Sequence, residues 1–378
     1  MKPILENTLH VGGITVLAIL LTRFVIYDFS SLSAFTPMEK NTDFEMSDLY
    51  SAVEDNKAVH RLSSEVCVIG IDGCNREETL DVINLVSAYQ PAAMGLDVIF
   101  PWPHPDNSYL LSTLGTTPGL VCVSKVEQDT DCVHFHQMQS SFYESMISPE
   151  YGYSNLFISS PRDVVRRFCP YVLTTEGDTL LGFPAALARQ VNRSRYEDLL
   201  ARKNAVETID YTTWEIPLFT AQELMAGEIE EEQLRGKVVM IGDLRDNKDS
   251  YLTPLHGSMP GVLIHGMALQ TILSGTYIDT TPAWINWLIG ILLCILLASL
   301  LMEARNRMSN VGNMFIRLAQ VAIMYQLVVI GCKYFAETHT FMDFSPSLLM
   351  IGLGALSFDI WFGLYGLYNF VRNKISKK

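Results

Sequence analysis

Residues 66–97 read VCVIGIDGCNREETLDVINLVSAYQPAAMGLD, and their pattern decides the fold. The first six residues are a short apolar run, the mark of a strand buried on both faces, and the run ends in Asp72. Over 77–89 the residues Leu80, Ile83 and Val86 recur at helical spacing. Residues 92–96 form a second apolar run, ending in Asp97. Strand, helix and strand in that order make a βαβ unit, which winds right-handed.

Outward from this unit, the proline-rich stretch 101–105 breaks the chain, 106–114 suits a short helix, and 119–126 reads as a third strand. Residues 236–242, Gly-Lys-Val-Val-Met-Ile-Gly, repeat the buried-strand pattern, and an amphipathic helix is expected over 262–274. Between these, 164–173, 206–209 and 213–217 are strand-like, 184–192 is helical, and the acid run 228–232 reads as a solvated helix end. Residues 44–53 carry apolar side chains at helical spacing and read as a lead-in that packs on the domain. The fold class predicted is α/β with a mostly parallel core sheet.

A membrane-spanning helix needs about 20 mostly apolar residues. Stretches 9–27, 284–302, 318–335 and 346–370 qualify, so one span precedes the α/β block 28–281 and three follow it. Arg305, Arg307 and Arg317 fill the loop 303–317, and Arg372, Lys374, Lys377 and Lys378 crowd the tail 371–378. Cationic segments stay inside, so residues 1–8, that loop and the tail are expected in the cytoplasm and the block outside the membrane. A cleaved leader ending near Ser31 and Ser33 is the competing reading of residues 1–33, and it leaves the block outside too. With only the short tail after the last span, a cytoplasmic output is expected to come from a separate protein.

The block holds 17 Lys and Arg against 36 Asp and Glu, a net of −19, while the rest of the chain carries +5. So acidic a domain repels nucleic acid and anionic lipid, which excludes both as partners by bulk attraction. Five of the seven cysteines lie in the block, and Cys122 and Cys132 flank an expected hairpin where an oxidising compartment permits a disulfide. His134 and His136 share a strand face without a third ligand nearby, and no cofactor or metal is expected. No nucleophile elbow, P-loop or His-Glu-x-x-His pattern occurs, so no enzyme is expected.

The carboxylates carry the functional signal. Asp72 and Asp97 end predicted neighbouring strands, and ligands of open α/β sheets bind in the crevice beyond such ends. Asp249 lies in the loop after the 236–242 strand and His265 in the helix that follows. Together they make a candidate acidic ligand pocket, although Asp at strand-to-helix turns also serves as a helix cap. Asp359, in the fourth span, needs a partner in the membrane: a base on another protein's helix, Tyr325 or Gln326 of the third span, or its own proton. Gly352, Gly354, Ala355, Gly363 and Gly366 suit close helix packing or self-association.

The segment 236–242, Asp249, Thr253-Pro254-Leu255, Pro260-Gly261-Val262 and His265, in order, resemble the type-two CHASE domain, an extracellular sensory module of bacterial receptors. Val68-Ile-Gly-Ile-Asp72 and Gly95-Leu-Asp-Val-Ile-Phe-Pro101 resemble its two early motifs, and Asp106 falls where the family often carries an acid. The resemblance covers about 44–278 and implies one span before the domain and usually three after it. The family's tryptophan- and proline-rich loop after the first Asp is missing, since the chain passes through residues 73–77 straight into a helix. The resemblance implies a sensor that binds a small molecule or envelope ligand through Asp72, Asp97, Asp106, Asp249 and His265. It would act on a separate membrane or cytoplasmic output protein, with Asp359 in the coupling and a homo-oligomer possible. A structural or interaction subunit of an envelope complex and an exported hydrolase using the Asp-lined sheet edge are the alternatives.

Overall fold

The computed structural model describes residues 2–29, 45–55, 61–129, 133–138, 140–157, 163–307 and 310–375. It comprises two compact units, Met1–Tyr50 with Asp279–Lys378, and Ser51–Ile278. In chain order the main elements begin with α1 (Lys2–Arg23), α2 (Met46–Asp55), β1 (Val66–Gly70), α3 (Arg76–Ala88), β2 (Ala93–Asp97) and α4 (Ser108–Thr116). Next come β3 (Leu120–Gln128), β4 (Phe135–Met138), β5 (Glu150–Tyr153) and α5 (Phe183–Val191). Then β6 (Leu218–Thr220), β7 (Val238–Gly242) and α6 (Gly261–Ser274) precede the long helices α7 (Ala283–Arg307), α8 (Asn310–Thr338) and α9 (Ser345–Ile375).

In the unit Ser51–Ile278 a seven-stranded sheet runs β6-β1-β7-β2-β3-β4, with β5 also on β3. All pairings are parallel except that of β4, which returns antiparallel along Lys125–Gln128 of β3. The sheet is therefore mixed: its core pairings are parallel, as expected, and one edge strand is antiparallel. The cause lies in β3, which takes β5 beside Val121–Ser124 and then runs on past it to form a hairpin.

Both sheet faces are covered. Cys67, Ile69, Met94, Leu96, Cys122, Val239 and Ile241 meet α3 and α4 through Leu80, Ile83, Val86, Leu110 and Leu114. The opposite face sets Val66, Val68, Val121, Val123, Val238 and Met240 against α5 and α6. Strands buried on both sides have no polar face, which is why they read as unbroken apolar runs. α3 starts where it does because Asn75 accepts from the Glu78 amide at 3.1 Å while the Glu78 carboxylate accepts from the Asn75 amide at 2.8 Å, a capping box.

The three strand-like stretches all fall off this sheet. Residues 164–173 break into Arg167–Phe168, paired with Glu207–Thr208, and Tyr171–Leu173, paired with Thr179–Leu181. Trp214–Glu215 pairs with Arg61–Leu62. Cys122 is a buried thiol, held above its usual range by burial, and its expected disulfide partner Cys132 lies outside the described residues. Ser31, Ser33 and residues 376–378 lie outside them too.

In the other unit, Glu6–Ile26, Ala283–Arg305, Met314–Thr338 and Ser345–Ile375 are long and apolar enough to cross a membrane. Ile14, Leu297, Leu301, Leu327, Ile351 and Phe358 form their shared core. Polar groups are satisfied across helices: Gln320 donates to the Ile351 carbonyl at 2.6 Å, Ser347 to the Asn286 carbonyl at 2.8 Å, and Trp361 Nε1 to His10 Nδ1 at 2.9 Å. Of the small residues, Gly354 and Ala355 pack inside, whereas an added Cβ at Gly363 or Gly366 would meet nothing within 4 Å.

Candidate functional site

The central strands end in register, with Gly242 of β7 beside Gly70 of β1 and Asp97 of β2. Just beyond that line, Asp72 and Asp243 emerge at the same sheet edge. On β3, Cys122 pairs with Leu96, so Lys125 lies just past the end of β2. Side chains alternate along a strand, which sends Asp97 and Lys125 to the face covered by α5 and α6. From α6, His265 reaches the same place, one turn in from Gly261. The result is a cleft of about 440 Å³, lined among others by Asp97, Lys125, Ser154, Asp243, Asp249 and His265.

Burial pushes the Asp97 carboxyl up to about 6, against the pull of the Lys125 charge. The His265 imidazole is 4% exposed and is pushed down to about 4, by burial first and by Lys125 second. A bond to the Ser154 backbone and the Asp249 charge oppose that shift. His265 is therefore a neutral ring at neutral pH, edge-on to Phe183 with centroids 5.7 Å apart. Asp249 is held above the usual carboxylate range by burial and then by the Asp97 charge. It accepts from the Tyr251 hydroxyl at 3.0 Å and lies over Gly261, where an added Cβ would sit 2.5 Å from Oδ2.

Of the five residues expected to bind ligand, the fold brings Asp97, Asp249 and His265 into one cleft. Asp72 stands beside it with a tethering task, accepting from the Leu244 amide at 2.8 Å with Arg245 at 3.9 Å. Asp72 also hydrogen-bonds Asp243; burial and that bond raise Asp72, and the same bond lowers Asp243. Asp106 is elsewhere: exposed before α4, it accepts from the Ser108 hydroxyl at 2.6 Å and amide at 3.0 Å, which hold it below its usual range. That is a local turn and not a cleft wall.

Sequence reasoning missed Lys125, Ser154 and Asp243. The signal for Lys125 was a charge inside an otherwise apolar strand, and Asp243 follows its strand just as Asp72 follows β1. Arg76 also lines the cleft but is engaged, donating to the Trp102 carbonyl at 2.7 Å and to Asn107 at 3.3 Å beside the Phe100 and Phe142 rings. Among the described residues no group of three His, Cys, Asp or Glu side chains is set to hold a metal ion. His136 instead lies at the surface, 2.7 Å from Asp129 and 3.7 Å from Glu127.

Asp359 has a partner that the sequence did not offer. Arg317 lies 3.2 Å from it, inside α8, because that helix begins at Asn310 and carries the arginine out of the expected loop 303–317. Neither Tyr325 nor Gln326 is needed.

A family model described as CHASE2 domain matches residues 32–302. Comparison with curated proteins and with solved structures found no match.

Proposed function

The chain belongs to the CHASE2 domain family, and from that premise we propose that it is a receptor of a bacterial inner membrane. In this reading the Asp97–Lys125–His265 cleft faces the periplasm and takes a small ligand, both termini are cytoplasmic, and the signal passes through the helices to a separate output protein. A CHASE2 domain is an extracellular sensory domain, and four helices long and apolar enough to span accompany it here, so the chain reads as a membrane sensor.

The observation that carries the reading lies within the helical unit. Tyr50 and Asp279 are its last and first residues around the sensory segment. Tyr50 donates to the Met342 carbonyl at 3.2 Å, and its ring lies against Phe335 and Phe341. The Asp279 amide donates to the His339 carbonyl at 3.0 Å, and the Thr281 amide to the Phe341 carbonyl at 2.9 Å. The chain's entry to the sensory segment and its exit are thus fastened to one short loop, 339–342, between α8 and α9. A shift of either strand of chain bears on that loop, and a receptor needs such an element with two arrangements to bias.

The test is affinity purification of the full chain in mild detergent from its native membrane. Wild type is run beside Asp97→Asn and Tyr50→Phe, and recovered proteins are identified by mass spectrometry. A kinase, cyclase or other regulator recovered in amounts that change in the variants supports the receptor. Envelope-building proteins alone, in one fixed ratio from all three, would replace it with the structural subunit.

A further inference from the structure

Resting on the ligand cleft proposed above, we infer that its ligand is a small zwitterion, an α-amino acid or a close relative bearing both an ammonium and a carboxylate. The argument comes from charges that the protein leaves unmatched. Lys125 makes no hydrogen bond and no ion pair within 4 Å among the described residues, although it lines the cleft. Asp97 is in the same position: burial, the field of Lys125 and the neighbouring Asp249 charge act on it, and no hydrogen bond among the described residues does. The two charges feel each other across the cleft without touching. His265, 4% exposed, spends one ring nitrogen on the Ser154 backbone, and the other finds no partner among the described residues.

An unmatched charge drawn out of water destabilises a fold, and when a chain keeps both signs side by side the physical resolution is a partner that satisfies both. A metal cation would leave Lys125 repelled, and an inorganic anion would face Asp97, Asp243, Asp246 and Asp249. A zwitterion meets each sign with its opposite. Its carboxylate goes to Lys125, and its ammonium to Asp97, Asp249 and the free nitrogen of His265, which in the neutral ring is an acceptor. The volume of about 440 Å³ suits a molecule of that size and leaves room for a side chain beside Ile99 and Phe100. Arg76 is already bound to Trp102 and Asn107, so it does not compete for the carboxylate.

The experiment uses the full chain in detergent micelles and reads thermal stability and calorimetric binding. The probes are the common α-amino acids, each with its decarboxylated amine and its deaminated acid, plus a small-molecule extract of cells. Expected is binding of one or a few amino acids, with the matched amine and acid weaker by about ten- to a hundredfold, the worth of one charged hydrogen bond. Lys125→Met and Asp97→Asn should each lose the amino acid by a similar factor, and Asp97→Asn should melt no lower than wild type without ligand, since it removes a charge that burial disfavours. Should Asp97→Asn fail to fold, Lys125→Met carries the test alone. An amine or acid that binds as tightly as its parent overturns the zwitterion. An extract that stabilises the protein when no amino acid does also overturns it, and leaves the ligand cleft standing. If nothing stabilises the protein, extract included, both readings fall.

Discussion

Replacing Asp97 with Asn should make the sensory unit more stable at neutral pH, by an amount that shrinks as the solution is acidified. The Asp97 carboxyl titrates at about 6 in the fold and near 3.8 when unfolded. A carboxyl raised in this way is fully accommodated only below its unfolded value, and the fold loses stability as pH rises through the folded one. At 1.36 kcal/mol per pH unit, carrying the charge at pH 7 costs about 3 kcal/mol. The same relation leaves about 1.5 kcal/mol at pH 5 and nearly nothing at pH 3.5. The Asn variant should therefore exceed wild type by up to about 3 kcal/mol at pH 7, with the gap roughly halved at pH 5.

His265 works in the opposite direction in the same window. Its folded value is depressed to about 4 from 6.5, so the stability of the neutral ring is present above 6.5 and is lost as pH falls toward 4. In wild type the two groups nearly cancel between pH 7 and 5, and the variant exposes the histidine slope. Asp249, also raised, acts in the same sense as Asp97; part of its shift comes from the Asp97 charge, so the variant relieves Asp249 as well and widens the gap in the same direction. Hydrogen exchange of core amides in β2 and β7, read by mass spectrometry on the full chain, gives that gap directly, because such amides open only with the unit. A variant no better protected at pH 7, or a gap that stays constant down to pH 5, would refute the placing of an unmatched, half-buried carboxylate at Asp97.

Gly261→Ala should press a Cβ onto the Asp249 carboxylate and cost about 1–3 kcal/mol, with faster exchange over residues 249–253 as the check. Arg202→Met removes the cation from Glu207, which is 2% exposed and bound by Arg202 at 2.7 Å, leaves it the Asn204 amide at 3.1 Å, and should cost about 3 kcal/mol of stability in thermal melts. Adding Glu207→Leu to that variant should restore most of the loss. Asp359→Asn and Arg317→Gln should each reduce recovery of the output partner, and the double variant should be no worse than either single one. A double variant with additive losses would show that the two side chains do not act as a pair.

Much of the fold is written locally. The apolar runs at 66–71, 92–96 and 236–242 mark strands because burial on both faces leaves no polar positions, and α3 is marked by its capping box and its apolar period. The four long apolar helices are set by length and composition alone. Only the tertiary structure decides that β7 slips between β1 and β2, because strand order depends on pairing between residues some 170 positions apart. That insertion brings Asp243 to Asp72, and the overrun of β3 carries Lys125 to Asp97. It also separates the five predicted ligand residues into three that line a cleft, one that tethers a loop, and Asp106 on its own turn. Residue type and position along the chain are sequence properties; which charges share a desolvated space is a property of packing, and it is the packing that turned a row of carboxylates into a site of two signs.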